Sequence, residues 1–362
     1  MACLTEFTDQ VSTAIYKEYE RRAESEKART YLGASVIGKE CARALWYAFR
    51  WANYEKFEGR MLRLFQTGHL AEPRFTDDLR SIGADVQEVD AATGKQFGYV
   101  GHGGHARGHA DGIATGIPGG GKKQHIVEYK THSSKSFEKL KRLGVKKAKP
   151  EHYAQMTWYM GKAGLDRALY LAVNKDNEEL HSERIEFDPV EFARIEARFD
   201  AIIFAGEPPS KISEDPHYYL CGWCVHKGVC HTDQVPQKTC RSCCHSTPER
   251  EGDGRWSCAK HGPEIPVEFQ RKGCGNHLPL PFLLTYARPV DAGEGWVEFQ
   301  RKDDASKHFI VKDEATALPG DMHLNKFIYT SAEISAAKDH RAICDEVIAD
   351  MRNAYPGSKL VG

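Results

Sequence analysis

The sequence predicts an α/β fold, and three features predict it. Short apolar runs of the buried-strand kind, such as Ala168-Leu-Tyr-Leu-Ala-Val173, alternate with amphipathic helical stretches such as Arg60–Phe75 and His152–Met160. A glycine-rich turn at Pro118-Gly-Gly-Gly joins two apolar strands, as a hairpin requires. Eight of the 11 cysteines fall between Cys221 and Cys274, which sets a small cysteine-rich module apart from that core.

A chain of 362 residues is long enough for one large core plus one or two small modules. The net charge of -1 excludes a globally basic nucleic-acid coat, so any contact with DNA must come from local patches. No apolar run approaches the ~18 residues of a membrane helix, and Met1–Gln10 lacks a basic-then-apolar leader pattern. A cytoplasmic protein with no membrane partner is expected. In that compartment clustered cysteines argue for metal sites over disulfides. Cys3 and Cys344 stand alone and read as plain thiols.

Residues 1–30 are charged and helix-prone and read as a surface helix. Ser35 then offers an N-cap for a helix carrying Cys41, Arg43 and Tyr47. The Arg60–Phe75 helix brings Gly68, His69 and Glu72 together, with 69 and 72 on one face. Val86–Val89 and Phe97–Val100 read as strands leading into Gly101-His-Gly-Gly-His-Ala-Arg-Gly-His-Ala-Asp111. Within it, His102 and His105 read as a flexible rim. His109, two residues before Asp111, falls on the same strand face, where it either packs or touches a phosphate.

The chemistry concentrates around the hairpin. In the strand His125-Ile-Val-Glu128-Tyr-Lys130, alternation points Glu128 and Lys130 the same way and Tyr129 the other way. Asp111 and Glu128 then become two carboxylates beside one ammonium. Carboxylate oxygens suit a hard cation such as Mg²⁺ or Mn²⁺, and a lysine next to that ion can orient or deprotonate a water. Metal-assisted phosphodiester hydrolysis uses such a set. Pro118-Gly-Gly-Gly-Lys-Lys lacks the Gly-x4-Gly-Lys-Ser/Thr pattern and is a turn, not a phosphate loop. Just beyond, Ser134–Pro150 carries Lys135, Lys139, Lys141, Arg142, Lys146, Lys147 and Lys149 against a single acid, Glu138. Placed after a phosphodiester site, this run reads as a phosphate-holding loop or helix that positions a backbone without reading sequence. Gln155 and Tyr159 share a face of the next helix. Ile185–Phe187 follows as a strand and Pro189–Phe204 as a helix.

Taken together, Gly68-x3-Glu72, Gly108-x2-Asp111, Glu128-x-Lys130 and Gln155-x3-Tyr159 resemble, in order and spacing, the RecB-like branch of the PD-(D/E)XK nuclease superfamily, over residues 31–231. The resemblance implies a restriction-endonuclease-like mixed central sheet flanked by helices. It implies Glu72, Asp111 and Glu128 as metal ligands, with the Tyr129 carbonyl as a further one. His69 is the alternative to Glu72. Lys130 would orient the water, and Gln155 and Tyr159 would hold the site and the DNA. It also gives Cys41 partners: Cys221-x2-Cys224-x5-Cys230 plus one early cysteine looks like the iron–sulfur staple of RecB-like exonucleases found in CRISPR adaptation and in the AddB helicase-nuclease. Four thiolates fit a [4Fe–4S] cluster, and zinc is the alternative on the same residues. Joining distant chain positions would restrict the unfolded state much as a disulfide does.

A second metal site, for Zn²⁺, is expected from Cys240-x2-Cys243 followed by Cys258 and Cys274, with Cys244, His261 and His277 as substitutes. Its expected work is structural, because the stretch has few large apolar side chains. From Leu278-Pro-Leu-Pro281 a linker leads to a tail in which Gly295–Gln300 and Lys307–Val311 pair as strands and Ser331–Met351 forms a helix. The expected organisation is a helix at 1–30, a nuclease core at 31–235, a zinc-ribbon-like module at 236–280 and an α+β domain at 281–362. The expected function is a metal-dependent DNA exonuclease acting on linear single- or double-stranded DNA, in recombination, repair or CRISPR-like processing. A recombination or CRISPR-adaptation protein would be its partner. The alternatives are a non-catalytic DNA-binding adaptor and an endonuclease or nickase with the same site.

Overall fold

The structure, a computed structural model, describes residues 4–25, 29–53, 56–337, 340–355 and 358, with side chains from residue 9 onward; Cys3 lies outside them. The chain folds as two compact units. The first takes residues 1–39 and 56–200, the second 40–55 and 201–362. The boundary therefore falls inside the stretch 31–235 that the sequence suggests is one core.

The first unit is a mixed α/β fold. Its main sheet has five strands, in the spatial order Asp85–Gln87, Gly112–Thr115, His125–His132, Arg167–Asn174, Leu180–Glu186. The two long middle strands run parallel, in register from Ile126 opposite Ala168 to His132 opposite Asn174, and the other pairs are antiparallel. A parallel pair needs a crossover. Helices Ser134–Ala148 and Pro150–Ala163 supply it. Both middle strands are buried almost along their length, which is why Ala168–Val173 is continuously apolar instead of alternating.

The helix Gly59–Ser81 covers one face of this sheet with Phe75, Thr76 and Leu79. Phe75 stacks on Tyr129 with ring centroids 5.0 Å apart and planes 15° apart. The Thr76 hydroxyl lies 3.2 Å from the Tyr129 hydroxyl. Around that stack lie Leu79, Ala84, Val86, Ala114, Ile117, Val127, Leu169, Leu171 and Val173. At its outer end this helix meets the N-terminal helix Leu4–Ser25 so closely that a Cβ on Gly59 would stand 2.2 Å from the Tyr16 carbonyl oxygen.

A second, three-stranded sheet places Leu32–Gly33 parallel to Ala106–His109, which pairs antiparallel with Gly98–Gly101. The chain leaves this sheet after His109 and enters the main sheet at Gly112, so Asp111 sits in the step between the two. His109 and Asp111 thus do not share a strand face. The His109 ring instead packs beside Gly98. Nor are His102 and His105 a flexible rim. His105 is fully buried, His102 lies 5.5 Å from the Phe199 ring, and the His105 carbonyl accepts from Leu32 N–H.

In the second unit Cys41 does not ride inside a helix. It is the N-cap of Ala42–Phe49, its sulfur accepting from Ala44 N–H at 3.4 Å, while Ser35 belongs to a short 3₁₀ turn in the first unit. A small hairpin pairs Ser246–Pro248 with Trp256–Cys258. The tail is a four-stranded sheet of Ala287–Gly293, Trp296–Arg301, His308–Lys312 and Ile328–Thr330, with only the last pair parallel. Phe299 and Phe309 stack at its centre, 5.2 Å apart. The single helix expected at Ser331–Met351 is two helices, Ser331–Ala336 and Glu346–Ala354. Thr330 and Glu333 cap the first reciprocally and Asp345 caps the second; between them Cys344 takes a left-handed φ of 68°.

Because Phe75 and Tyr129 join the long helix to the sheet, Phe75→Ala is expected to cost roughly 3–5 kcal/mol. Urea unfolding followed by far-UV circular dichroism measures it. A loss below about 1 kcal/mol would mean that the stack does not hold the helix in place.

Candidate functional site

Glu128 and Lys130 share one face of the central strand, and Tyr129 is turned to the other, toward Phe75. The Glu128 carboxyl is 1 % exposed. One of its oxygens receives the Lys130 ammonium, and the other, Oε2, is buried with no hydrogen-bond partner. Asp111 is fixed from the step between the sheets by accepting the Tyr129 N–H at 2.7 Å. Glu72 comes from the long helix, where His69 Nδ1 lies 3.2 Å from its Oε1. Pro73 follows it inside the helix and removes the amide that would bond the His69 carbonyl. His69 is largely exposed and Glu72 half-exposed, and the charges of both are felt at the acids: Asp111 acts on Glu72, and His69 on Asp111.

The electrostatics show that these groups sense one another. Burial pushes the Glu128 carboxyl up to about 7, with the Asp111 and Glu72 charges adding to the rise and Lys130 opposing it. Burial raises Asp111, against the pull of Lys130 and the Tyr129 amide. Glu72 is raised by burial and then by Asp111. Burial disfavours the charge on Lys130, yet Glu128 and Asp111 outweigh it and hold its pKa above the ordinary value. Three carboxylates thus raise the cost of charging one another, and a cation relieves that cost.

The donors are all oxygens, and one of them is a buried oxygen without a partner, so the set fits a hard divalent ion. Among the described residues no three His, Cys, Asp or Glu side chains are already gathered into a metal-holding group. The Lys130 ammonium takes the near oxygen of Glu128.

Gln155 and Tyr159 lie buried on the crossover helix, the Gln155 amide donating to the Tyr159 hydroxyl at 3.2 Å. Burial raises the Tyr159 phenol, with Glu128 the next cause, so its hydroxyl borders the acids. Gly108 makes that placement possible: a Cβ there would stand 2.5 Å from the Tyr159 hydroxyl. The same strand face holds a group that the motif spacing does not single out. His132 continues the alternation of Glu128 and Lys130, and its Nε2 lies 2.8 Å from the Tyr170 hydroxyl. His152 Nδ1 meets that hydroxyl from the helix at 2.9 Å. The period-2 pattern running on from Lys130 was the available signal.

The basic run is a helix, broken at Gly144 with φ 70°. The Val145 amide freed there donates to Glu183 at 2.8 Å. Lys141 pairs with Glu179 and Lys146 with Asp188. Lys135, Lys139, Arg142 and Lys147 are exposed and engage no acid among the described residues, and Lys149 ends the helix half-buried.

In the second unit Cys41, Cys221, Cys224 and Cys230 line one small cavity with Tyr47, Lys211 and His226. Burial pushes up the Cys221, Cys224 and Cys230 thiols, and the Cys41 charge adds to each rise. Cys243, Cys274 and Cys258 lie near enough for their charges to act on Cys240, but among the described residues no three of these side chains are gathered into a metal-holding group. Burial pushes Cys240 up to about 11, followed by the charges of Cys243, Cys274 and Cys258. The Cys244 thiol lies against that of Cys243, and His277 Nε2 lies 2.9 Å from the Thr239 carbonyl.

No family model matches the sequence, and no curated protein matches it. Among solved structures the chain overlaps SSO0001 at 16% identity and TM-score 0.37, over 61% of this chain and 96% of that one. It overlaps the alkaline exonuclease LHK-Exo from Laribacter hongkongensis at 18% identity and TM-score 0.31, over 51% and 90%. It overlaps a phage related exonuclease from Haemophilus somnus 129PT at 16% identity and TM-score 0.36, over 48% and 92%. Overlaps this slight leave fold and function to the chain's own residues.

Burial holds His132 down to about 4 and His152 to about 2, both below the free value of 6.5. The unfolded chain therefore binds more protons than the folded one below pH 6.5. Stability should be complete above about pH 6.5 and fall toward pH 4, on the order of 1 kcal/mol per pH unit for each histidine. Chemical denaturation across that range tests this, and His152→Phe should flatten the slope. An unchanged slope would show that His152 is not held neutral.

Proposed function

We propose that the first unit is a divalent-metal-dependent phosphodiesterase and that its substrate is DNA, degraded from an end. The observation that carries the reading is the buried Glu128 carboxyl held by the Lys130 ammonium with its other oxygen left without a partner, close enough to Asp111 and Glu72 for their charges to act on it. Glu72, Asp111 and Glu128 would hold Mg²⁺ or Mn²⁺, with the Tyr129 carbonyl as a further donor. A bound ion of this kind supplies a Lewis acid for the phosphate and lowers the pKa of water.

The rest is the work of the chain's own side chains. Lys130 stays protonated and donates to Glu128, which places its ammonium where an attacking water can be oriented. Asp111 is held in one orientation by a backbone amide and spends no side-chain entropy on binding. Tyr159 and Gln155 close the wall beside Glu128 and exclude bulk water from its carboxyl. Lys135, Lys139, Arg142 and Lys147 offer free cations to a phosphate backbone on the helix that follows the catalytic strand. All three acids and the lysine are present, which ranks a non-catalytic adaptor second.

In the second unit Cys41, Cys221, Cys224 and Cys230 would hold a [4Fe–4S] cluster. Four thiols around one cavity are the chemistry such a cluster needs, and iron, sulfide and visible-absorbance analysis of anaerobically purified protein decides between it and zinc.

Asp111→Ala and Lys130→Ala should each lower release of nucleotides from end-labelled linear DNA by roughly 10²-fold or more, with the circular dichroism spectrum unchanged. Full activity in the double variant would refute the site. Covalently closed circular DNA should stay intact; cutting of circles would replace the exonuclease reading with an endonuclease on the same site. Because the Glu128 carboxyl sits near 7, protons compete with the metal below that pH. Mg²⁺ affinity by calorimetry should weaken up to about tenfold per pH unit as pH falls below 7 and level off above it. A flat profile would remove Glu128 from the ligand set.

A further inference from the structure

We infer that Tyr170, clamped between His132 and His152, is a positioning residue that fixes the Glu128–Lys130 pair for the reaction; the inference rests on the nuclease reading and deepens it. Tyr170 stands opposite Glu128 on the parallel neighbour strand, and Ala172 stands opposite Lys130. Side chains of residues partnered in this way leave the sheet on one face, from strands about 5 Å apart. Glu128, Lys130 and His132 therefore share a face with Tyr170 and Ala172. The other face of the same two strands lines the hydrophobic core, with Val127, Tyr129, Leu169, Leu171 and Val173. The fully buried Tyr170 ring is thus the lateral wall of Glu128. Beside Lys130 the neighbour is only an alanine, which leaves the lysine stem space to bend back to Glu128.

The Tyr170 ring is held by its hydroxyl. His132 Nε2 lies 2.8 Å from it and His152 Nδ1 2.9 Å. A phenol has one hydrogen, so it donates to one imidazole and accepts from the other. Ser136 Oγ, 3.2 Å from His132 Nδ1, extends the chain of bonds. The His152 ring also stacks on the Tyr170 ring, with centroids 5.7 Å apart and planes 26° apart. His152, Gln155 and Tyr159 fall at i, i+3 and i+7, one stripe of the crossover helix. One helix face therefore carries both the clamp on Tyr170 and the pair that walls Glu128.

A buried polar layer costs stability unless its groups are bonded to one another. Here they are, and hydrogen bonds impose directions that apolar packing does not. Both charges of the pair are felt in the layer. Burial is the main reason the two imidazoles stay neutral, with the Lys130 and Lys149 charges adding to it. Burial raises the Tyr170 phenol, and the Glu128 charge is the next cause. The layer offers Lys130 no countercharge, so its ammonium turns to Glu128.

The test compares Tyr170→Phe, which keeps the ring and removes only the hydroxyl, with the unmodified full chain. On end-labelled linear DNA with Mg²⁺, kcat should fall roughly 10- to 100-fold while KM stays within about twofold. The Lys130 ammonium supplies a readout free of catalysis. Its ¹H–¹⁵N magnetic resonance signal, assigned by its loss in Lys130→Ala, should shift or broaden in Tyr170→Phe. An asparagine amide replaces Nδ1 of His152 in kind, so His152→Asn should keep kcat within about threefold, and His152→Phe should lose as much as Tyr170→Phe. Unchanged kcat in Tyr170→Phe, a rise in KM alone, or equal losses in the two His152 variants would overturn the inference. So would an unchanged ammonium signal. Should Tyr170→Phe fail to fold, the two His152 variants decide. If the unmodified chain releases no nucleotides, the nuclease reading fails, and the ammonium signal alone decides whether Tyr170 positions the pair.

Discussion

Glu128 cannot carry its charge where it sits without a partner. It lies in the middle of a buried strand, 1 % exposed, and charging a carboxylate there costs several kcal/mol. The ammonium two residues on meets it from the same face because a strand repeats every second residue. That single ion pair explains much of the first unit. It needs a strand flanked on both faces, a lysine whose head is only partly exposed, and neighbours that keep water from Glu128 without clashing with it. Its unpartnered oxygen also leaves the pair incomplete, and further positive charge would complete it.

The intervening residue serves the opposite face. Tyr129 stacks on Phe75 and bonds Thr76, and these contacts seat the helix that carries Glu72. Its backbone amide holds Asp111. One tripeptide therefore supplies an acid, a lysine, the seat of the third acid's helix and the clamp on the second acid. A one-residue slip in register would exchange the faces of all three. Behind the pair, Tyr170 shares its hydroxyl with His132 and His152, a buried polar layer in which burial keeps both rings neutral.

The second unit solves a different problem. Its tail sheet has an ordinary aromatic and aliphatic core around Phe299, Phe309, Tyr286 and Val311. The cysteine-rich stretch before it has instead a buried arginine stacked among tryptophans and several tight turns.

Local rules made much of this legible in the sequence. Alternation put Glu128 and Lys130 on one face, the glycine-rich turn located the hairpin, and continuous apolar runs marked the buried strands. Helical spacing joined Gln155 to Tyr159. These depend only on the geometry of neighbouring residues, so the chain by itself determined them. What tertiary structure alone decided is which distant pieces meet. Residues 40–55 join the unit formed by 201–362, which brings Cys41 to Cys221, Cys224 and Cys230. The chain changes sheets at Asp111, which separates it from the face of His109; His102 and His105 become buried; Glu179 and Asp188 claim two of the basic helix's lysines. Each is a contact between residues far apart in the chain, and such contacts follow from how whole elements pack, for which no short window of sequence carries the information.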